Sequence, residues 1–373
     1  MKKQSAIVLI LALLFALAAC QGKPSAQKET LPVAQETVNT PETPVNMVVG
    51  VCIPDNDSRW RTDVEALTQA FESLGYNVAV EYAAGDPATQ AYQLEKLVEQ
   101  KVCCLVVAPV DSLALVDAQG KAEEAGIPVI AYDRLLMDSP VVDAFVTFDY
   151  LKMGQEMGNY ILQQKQLDTA AAEQRSHTIE FYMGSADDNS ALLLHTGILS
   201  VLQPYLDAGV LVCASGRTSF ADTYVTQASS LKAAEKLSNC LSTFYQEQPL
   251  EILCMGTDEM AVACVELLSS FGYVGENYPL IVSQGGSLAG AKAVLQGQIS
   301  MTVYKDNLEM AENAARIAHG LVTNQTPEYN DAEQFHNHIE TVPAWVCTTF
   351  PVDTASCRTL LVDTGIYTNS DLE

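Results

Sequence analysis

The stretch "GIPVIAYDRLL" (residues 126–136) runs an apolar segment directly into Asp133 and Arg134. A turn residue and a proline open it, four apolar residues follow, and two opposite charges close it. A short continuous apolar run bounded this way reads as a strand buried on both faces. The same pattern recurs outward in both directions. "NMVVGVCIP" leads into "WRTDVEALTQAFESLGY", where Val64, Leu67, Phe71 and Leu74 share one helical face. "NVAVEY", "VCCLVVAP" and "DAFVTFD" follow, and the motif restarts with "HTIEFYMGS", "VLVCAS", "EILCMG", "YPLIVSQ" and "ISMTVYK", each followed by a helical stretch. Strands alternating with helices mean βαβ units and parallel sheets covered on both sides. Two such sets predict an α/β fold of two doubly wound parallel-sheet lobes.

Residues 1–19 stand apart. Lys2 and Lys3 precede the apolar run Ile7–Leu17, which is too short to span a membrane and ends in Leu17-Ala18-Ala19-Cys20. This resembles a bacterial lipoprotein leader, in which Cys20 is lipidated and becomes the first residue. Residues 20–46 are rich in Pro, Thr, Gln and Glu without apolar periodicity and are expected to tether the folded part. The expected location is therefore extracytoplasmic, with the chain anchored to the bacterial cell membrane by lipid alone.

The formal net charge of −26 repels phosphate backbones and anionic headgroups, so nucleic acid and peripheral membrane docking are excluded as partners. It suits a ligand that is neutral or cationic. Cys20 aside, nine cysteines remain, several inside apolar runs such as "KVCCLVV", and an odd number makes a poor disulfide framework. No CxxC pair, nucleotide loop or GxSxG motif is present, and "FHNHIE" offers His336 and His338 on one expected strand face without a third metal ligand. No cofactor or metal is expected, and no enzymatic activity.

In open parallel sheets, ligands bind beyond the carboxyl ends of the strands. Asp133 and Arg134 sit at such an end. Taken alone the pair reads as a solvated ion pair, but polar and aromatic residues also close other strands: "PDNDSRW" (54–60), "FD" (148–149), "GSADDNSA" (184–191), "GTDEMA" (256–261), "SQGGS" (283–287) and "YK" (304–305). Convergent hydroxyl partners with aromatic faces are what a sugar cleft needs.

With "SRW", "GIPVIAYDRLL", "TFD", "GSADDN", "VLQPYLDAG" and "MTVYKDN" in place, the chain resembles the periplasmic sugar-binding proteins of the ribose/xylose class, nearest the xylose-binding and multiple-monosaccharide-binding branch. The resemblance extends over 47–373. It implies the type I periplasmic binding protein fold with a three-segment hinge, lobe one at 47–148 and 306–345, and lobe two at 149–305 and 346–373. By the same resemblance, Arg59 is a sugar-binding arginine with Trp60 a stacking ring beside it. Asp133 and Arg134 take hydroxyls from lobe one, Asp188 contributes from lobe two, and Lys305 lies at the lobe crossing. Tyr224, with Phe220 as the other candidate, is the second-lobe aromatic.

Three positions depart from the branch. Ser190 and Thr257 stand where asparagines are usual, and Gly285 falls on the aspartate of the family's "GQD". The resemblance implies capture of a xylose-like or other aldose for an ABC permease. The alternatives are a sensing module for a membrane sensor kinase or chemoreceptor, or an altered ligand such as a sugar acid meeting Arg59, Arg134 and Lys305.

Overall fold

The computed structural model describes residues 47–56 and 58–373. The expected leader (1–19), the lipidation site Cys20 and the tether (20–46) lie outside the described residues.

Among the described residues, twelve strands form two six-stranded sheets. In chain order they are β1 (Val48–Ile53), β2 (Asn77–Tyr82), β3 (Cys104–Val107), β4 (Val129–Tyr132), β5 (Ala144–Phe148), β6 (His177–Tyr182), β7 (Leu211–Val212), β8 (Ile252–Met255), β9 (Leu280–Gly285), β10 (Met301–Lys305), β11 (Ala344–Cys347) and β12 (Thr349–Asp353). The first sheet runs β11-β5-β4-β3-β1-β2 and is parallel throughout. The second runs β12-β10-β9-β8-β6-β7, parallel except for the antiparallel edge strand β12. The two orders correspond strand for strand, so each lobe reverses strand direction of growth at the same place.

Both faces of each sheet are buried, which is why the strands read as continuous apolar runs. Ile130 and Tyr132 of β4 pack on one face, and Val129 and Ala131 on the other. In β8, Ile252 and Cys254 face one way, and Leu253 and Met255 the opposite way. Val129, Ile130, Ile252, Leu253 and Met255 each contribute about 1.5–3 kcal/mol when fully withdrawn from water. Helix Ser58–Ser73 covers the first sheet and packs against helix Asn307–Val322. In the second lobe, helices Tyr150–Gln164 and Asn189–Asp207 approach so closely that a Cβ on Gly154 would lie 2.1 Å from the Leu194 carbonyl oxygen. Only glycine allows that contact.

The chain passes between the sheets three times: after β5, after β10, and between β11 and β12. The third passage falls later than the sequence suggested. Val346 and Cys347, assigned to lobe two, pair with Thr147 and Phe148 of β5 in the first sheet. The segment holding His336 and His338 is likewise not a strand; it bends, with His338 in the left-handed region (φ 75°) and its imidazole on Asp138 at 2.8 Å. Among the described residues no group of three His, Cys, Asp or Glu is placed to hold a metal ion. The nine described cysteines are free thiols, half-buried at Cys103 and Cys213 and buried elsewhere.

Candidate functional site

The segments that follow β1, β3 and β4 meet those that follow β6 and β8 around a cavity of about 340 Å³ in the interlobe cleft. Pro54, Asp55, Arg59, Trp60, Val110 and Arg134 line it from the first lobe. Ser185, Asp187, the Gln227–Ser230 segment, Thr257 and Glu259 line it from the second. That volume is at the small end of small-molecule sites.

Asp133 is the hub beneath the cavity. It follows β4 in the left-handed region (φ 62°), a conformation that aspartate tolerates better than most residues, and this turns its carboxylate inward. One carboxylate oxygen accepts from the Arg59 guanidinium and the other from the Tyr150 hydroxyl. Lys305 donates to the same hydroxyl at 3.3 Å. Tyr150 and Lys305 flank the first two lobe passages, so this chain of contacts ties the hinge to the end of β4. Burial alone would lift the Asp133 carboxyl, but Arg59, then Lys305, the Tyr150 hydrogen bond and Arg134 overrule it and hold the group down to about 2. Burial, and after it Arg59, push the Lys305 ammonium from its usual 10.5 to about 8.

Arg134 makes a second link between the lobes. Its Nε lies 3.0 Å from Asp188 Oδ2, and its Nη1 donates to the Pro109 carbonyl at 3.1 Å. Asp188 caps helix Asn189–Asp207 by accepting from the Ser190 N–H at 2.9 Å, and Ser190 Oγ reaches the Asp133 carbonyl at 3.5 Å. An N-cap aspartate thus also pairs with an arginine of the other lobe. Trp60 is 3% exposed, and the guanidinium carbons of Arg59 and Arg134 sit over its ring at 4.4 and 5.4 Å. The indole holds both cations in place by cation–π attraction.

A periplasmic binding protein domain model matches residues 49–326. The chain belongs to the periplasmic binding protein family. The multiple sugar-binding periplasmic receptor ChvE of Rhizobium radiobacter is 30% identical over 87% of this chain and 92% of its own length. The D-xylose-binding periplasmic protein of Escherichia coli is 29% identical over 87% and 92%. A crystal structure of an ABC transporter solute-binding protein from Clostridium phytofermentans with bound β-D-glucose superposes with a TM-score of 0.83 at 30% identity, covering 87% of this chain and 100% of that one. These relatives are receptors and binding proteins, not enzymes.

Eight of the nine residues singled out from the sequence gather in or directly beneath the cleft of this periplasmic binding protein. Arg59, Trp60, Arg134 and Thr257 line the cavity, while Asp133, Asp188, Ser190 and Lys305 are buried, Asp133 and Asp188 against the lining Arg59 and Arg134. Thr257 caps helix Asp258–Ser270, accepting from the Met260 N–H at 3.2 Å. Tyr224 is not among the lining residues: its ring lies 5.3 Å from Lys236 Nζ, outside the cavity. The segment after it, where Gln227 and Ala228 adopt left-handed φ values of 58° and 47°, supplies the wall instead. Nothing in "TQASS" announces that turn. Tyr150 was legible as an aromatic just after a strand in "TFDY", and Glu259 as part of "GTDEMA", but neither stood out individually.

Gly285 lacks more than a carboxylate. Its φ is 134°, and a Cβ there would meet Asp258 Oδ2 at 3.2 Å. Asp258 is fully buried, accepting from Ser283 and Thr302 hydroxyls and from the Ser287 N–H. Burial and Glu259 raise its carboxyl. Gly285→Asp, the change toward the family pattern, is therefore expected to cost about 1–3 kcal/mol in thermal unfolding rather than to rebuild a sugar contact. An unchanged melting temperature with higher sugar affinity would contradict this.

Proposed function

We propose that this periplasmic binding protein captures a monosaccharide, a xylose-like or other aldose, between its lobes and delivers it to an ABC sugar permease from an extracytoplasmic position, anchored through lipid on Cys20. The observation that carries the reading is the cavity of about 340 Å³ lined from both lobes at the strand carboxyl ends, with two guanidinium groups, carboxylates and hydroxyls directed at one small volume. The printed names of the relatives, a multiple sugar-binding receptor and a D-xylose-binding protein, support the same ligand class.

The mechanism is hinge closure. A ligand that touches Arg59 and Arg134 on one side and Thr257 and Glu259 on the other binds the closed arrangement better than the open one, and shifts the population by that difference. The Asp133–Tyr150–Lys305 contacts keep the hinge register fixed. Permease docking on the closed form followed by reopening releases the sugar. Isothermal titration of the purified protein against pentoses, hexoses and uronic acids tests the reading. Heat from a neutral pentose or hexose, weakened at least tenfold in Arg134→Ala, is the expected result. Silence to every sugar overturns it.

A further inference from the structure

The charges around the cavity do not balance. Arg59 is matched by Asp133 and by Asp63, whose Oδ2 lies 3.9 Å from its Nε. Arg134 is matched by Asp188. Lys305 is buried beneath the cavity on the Tyr150 hydroxyl, inside the field of Asp133. Both arginines are thus paired with aspartates of the protein itself, and Lys305 is spent on the Tyr150 hydroxyl.

The carboxylates on the cavity wall are not committed in this way. Glu259 occupies the first turn of helix Asp258–Ser270, half-buried, and among the described residues no cation lies within ion-pair distance of it. Asp55 and Asp187 line the same cavity from opposite lobes, exposed at its mouth and equally without an ion pair among the described residues. A cleft with low-dielectric walls focuses such a field onto whatever it encloses. A ligand bearing a carboxylate would meet three like charges. A ligand bearing an ammonium would give Glu259 the partner it lacks in a site partly withdrawn from water, where charge-assisted hydrogen bonds are roughly twice as strong as neutral ones.

We propose that Glu259 makes this cleft select sugars carrying a protonated amine, the aminodeoxyaldoses, over the matching neutral aldoses and over uronic acids. The inference rests on the sugar-capture reading above and names the ligand class of that same site.

The test is isothermal titration of the whole protein with matched pairs, glucose against glucosamine and galactose against galactosamine, with N-acetylglucosamine and glucuronic acid as the uncharged and anionic controls. The expected result is a preference of at least about tenfold for one amine over its parent aldose, with acetylation removing the gain and glucuronic acid weakest. In Glu259→Gln the amine-to-aldose ratio should fall toward one. Among the described residues the Glu259 side chain makes no hydrogen bond that Gln would break, and Thr257, not Glu259, caps the helix, so the variant is expected to fold. Asp187→Asn, at the mouth, should reduce the ratio less. A parent aldose binding as well as its amine, a pentose binding while every hexosamine is silent, or a preference that survives Glu259→Gln each overturns this inference and leaves sugar capture standing. Silence to all sugars overturns the reading on which it rests.

Discussion

Asp133→Ala is expected to destabilise the protein by about 3–5 kcal/mol in urea unfolding and to bring sugar binding below detection. The carboxylate is 1% exposed and accepts from Arg59 and Tyr150 while lying in the field of Lys305. Removing it leaves the partly buried Arg59 guanidinium and the buried Lys305 ammonium without the anion they share. The sheet end also loses a residue suited to φ 62°, because alanine pays a steric penalty there that aspartate and asparagine reduce. Asp133→Asn separates the two effects: it keeps shape and backbone tolerance but not the charge, so its loss should fall between wild type and alanine. The pH profile checks the electrostatic share. The carboxyl sits at about 2 in the folded protein against 3.8 when free, so its contribution is complete above about pH 4 and drains as the pH falls toward 2. Asp133→Asn should lack that part of the acid slope. A variant as stable as wild type would show that Arg59 and Lys305 find other partners.

Lys305→Met is expected to move stability the other way. Burial, then Arg59, outweigh Asp133, Asp63 and Glu259 and lower the ammonium from 10.5 to about 8. That difference corresponds to a penalty on the order of 3 kcal/mol for keeping the charged form in the folded state at neutral pH. Methionine has a similar length, and the rings of Phe148 and Tyr150, 5.3 and 5.4 Å from Nζ, suit a thioether. The lost donor to the Tyr150 hydroxyl offsets part of the gain. The expected outcome is a higher melting temperature with lower sugar affinity, the trade found where a binding site stores a buried charge. Wild type should also gain stability as the pH rises from about 8 to about 10.5, where the unfolded chain still holds the proton that the folded one has released, and the methionine variant should not. A lower melting temperature in Lys305→Met would mean that attraction to Asp133 exceeds the burial cost.

The architecture was legible in the sequence because its signals are local. Strands buried on both faces read as unbroken apolar runs, helices return every three or four residues to one face, and a parallel sheet places its ligand residues at strand carboxyl ends. From those facts alone "PVIAYDR" put Asp133 and Arg134 at a cleft, and "MTVYK" did the same for Lys305. Errors arose where local pattern is silent. The passage after β11 is expected from the sequence two residues too early, because nothing in "AWVCTTF" marks the change of sheet. The family resemblance implies Tyr224 as the second-lobe aromatic, while a left-handed turn at Gln227 and Ala228 supplies the cavity wall.

What the sequence by itself determined is the fold and part of the set of side chains that meet in the cleft. What only the tertiary structure decided is how their charges are spent. Arg59 and Asp133 are 74 residues apart, and Lys305 and Tyr150 are 155 apart. Counted along the chain, Arg59, Arg134 and Lys305 left a sugar acid open as an alternative to a neutral aldose. Folded, the two arginines are paired with buried aspartates, Lys305 is spent on the hinge, and the carboxylate of Glu259 is left facing the cavity. Periodicity records which residues leave water, because that depends on neighbours a few positions away. Which charges cancel depends on distances that exist only after two lobes have packed together.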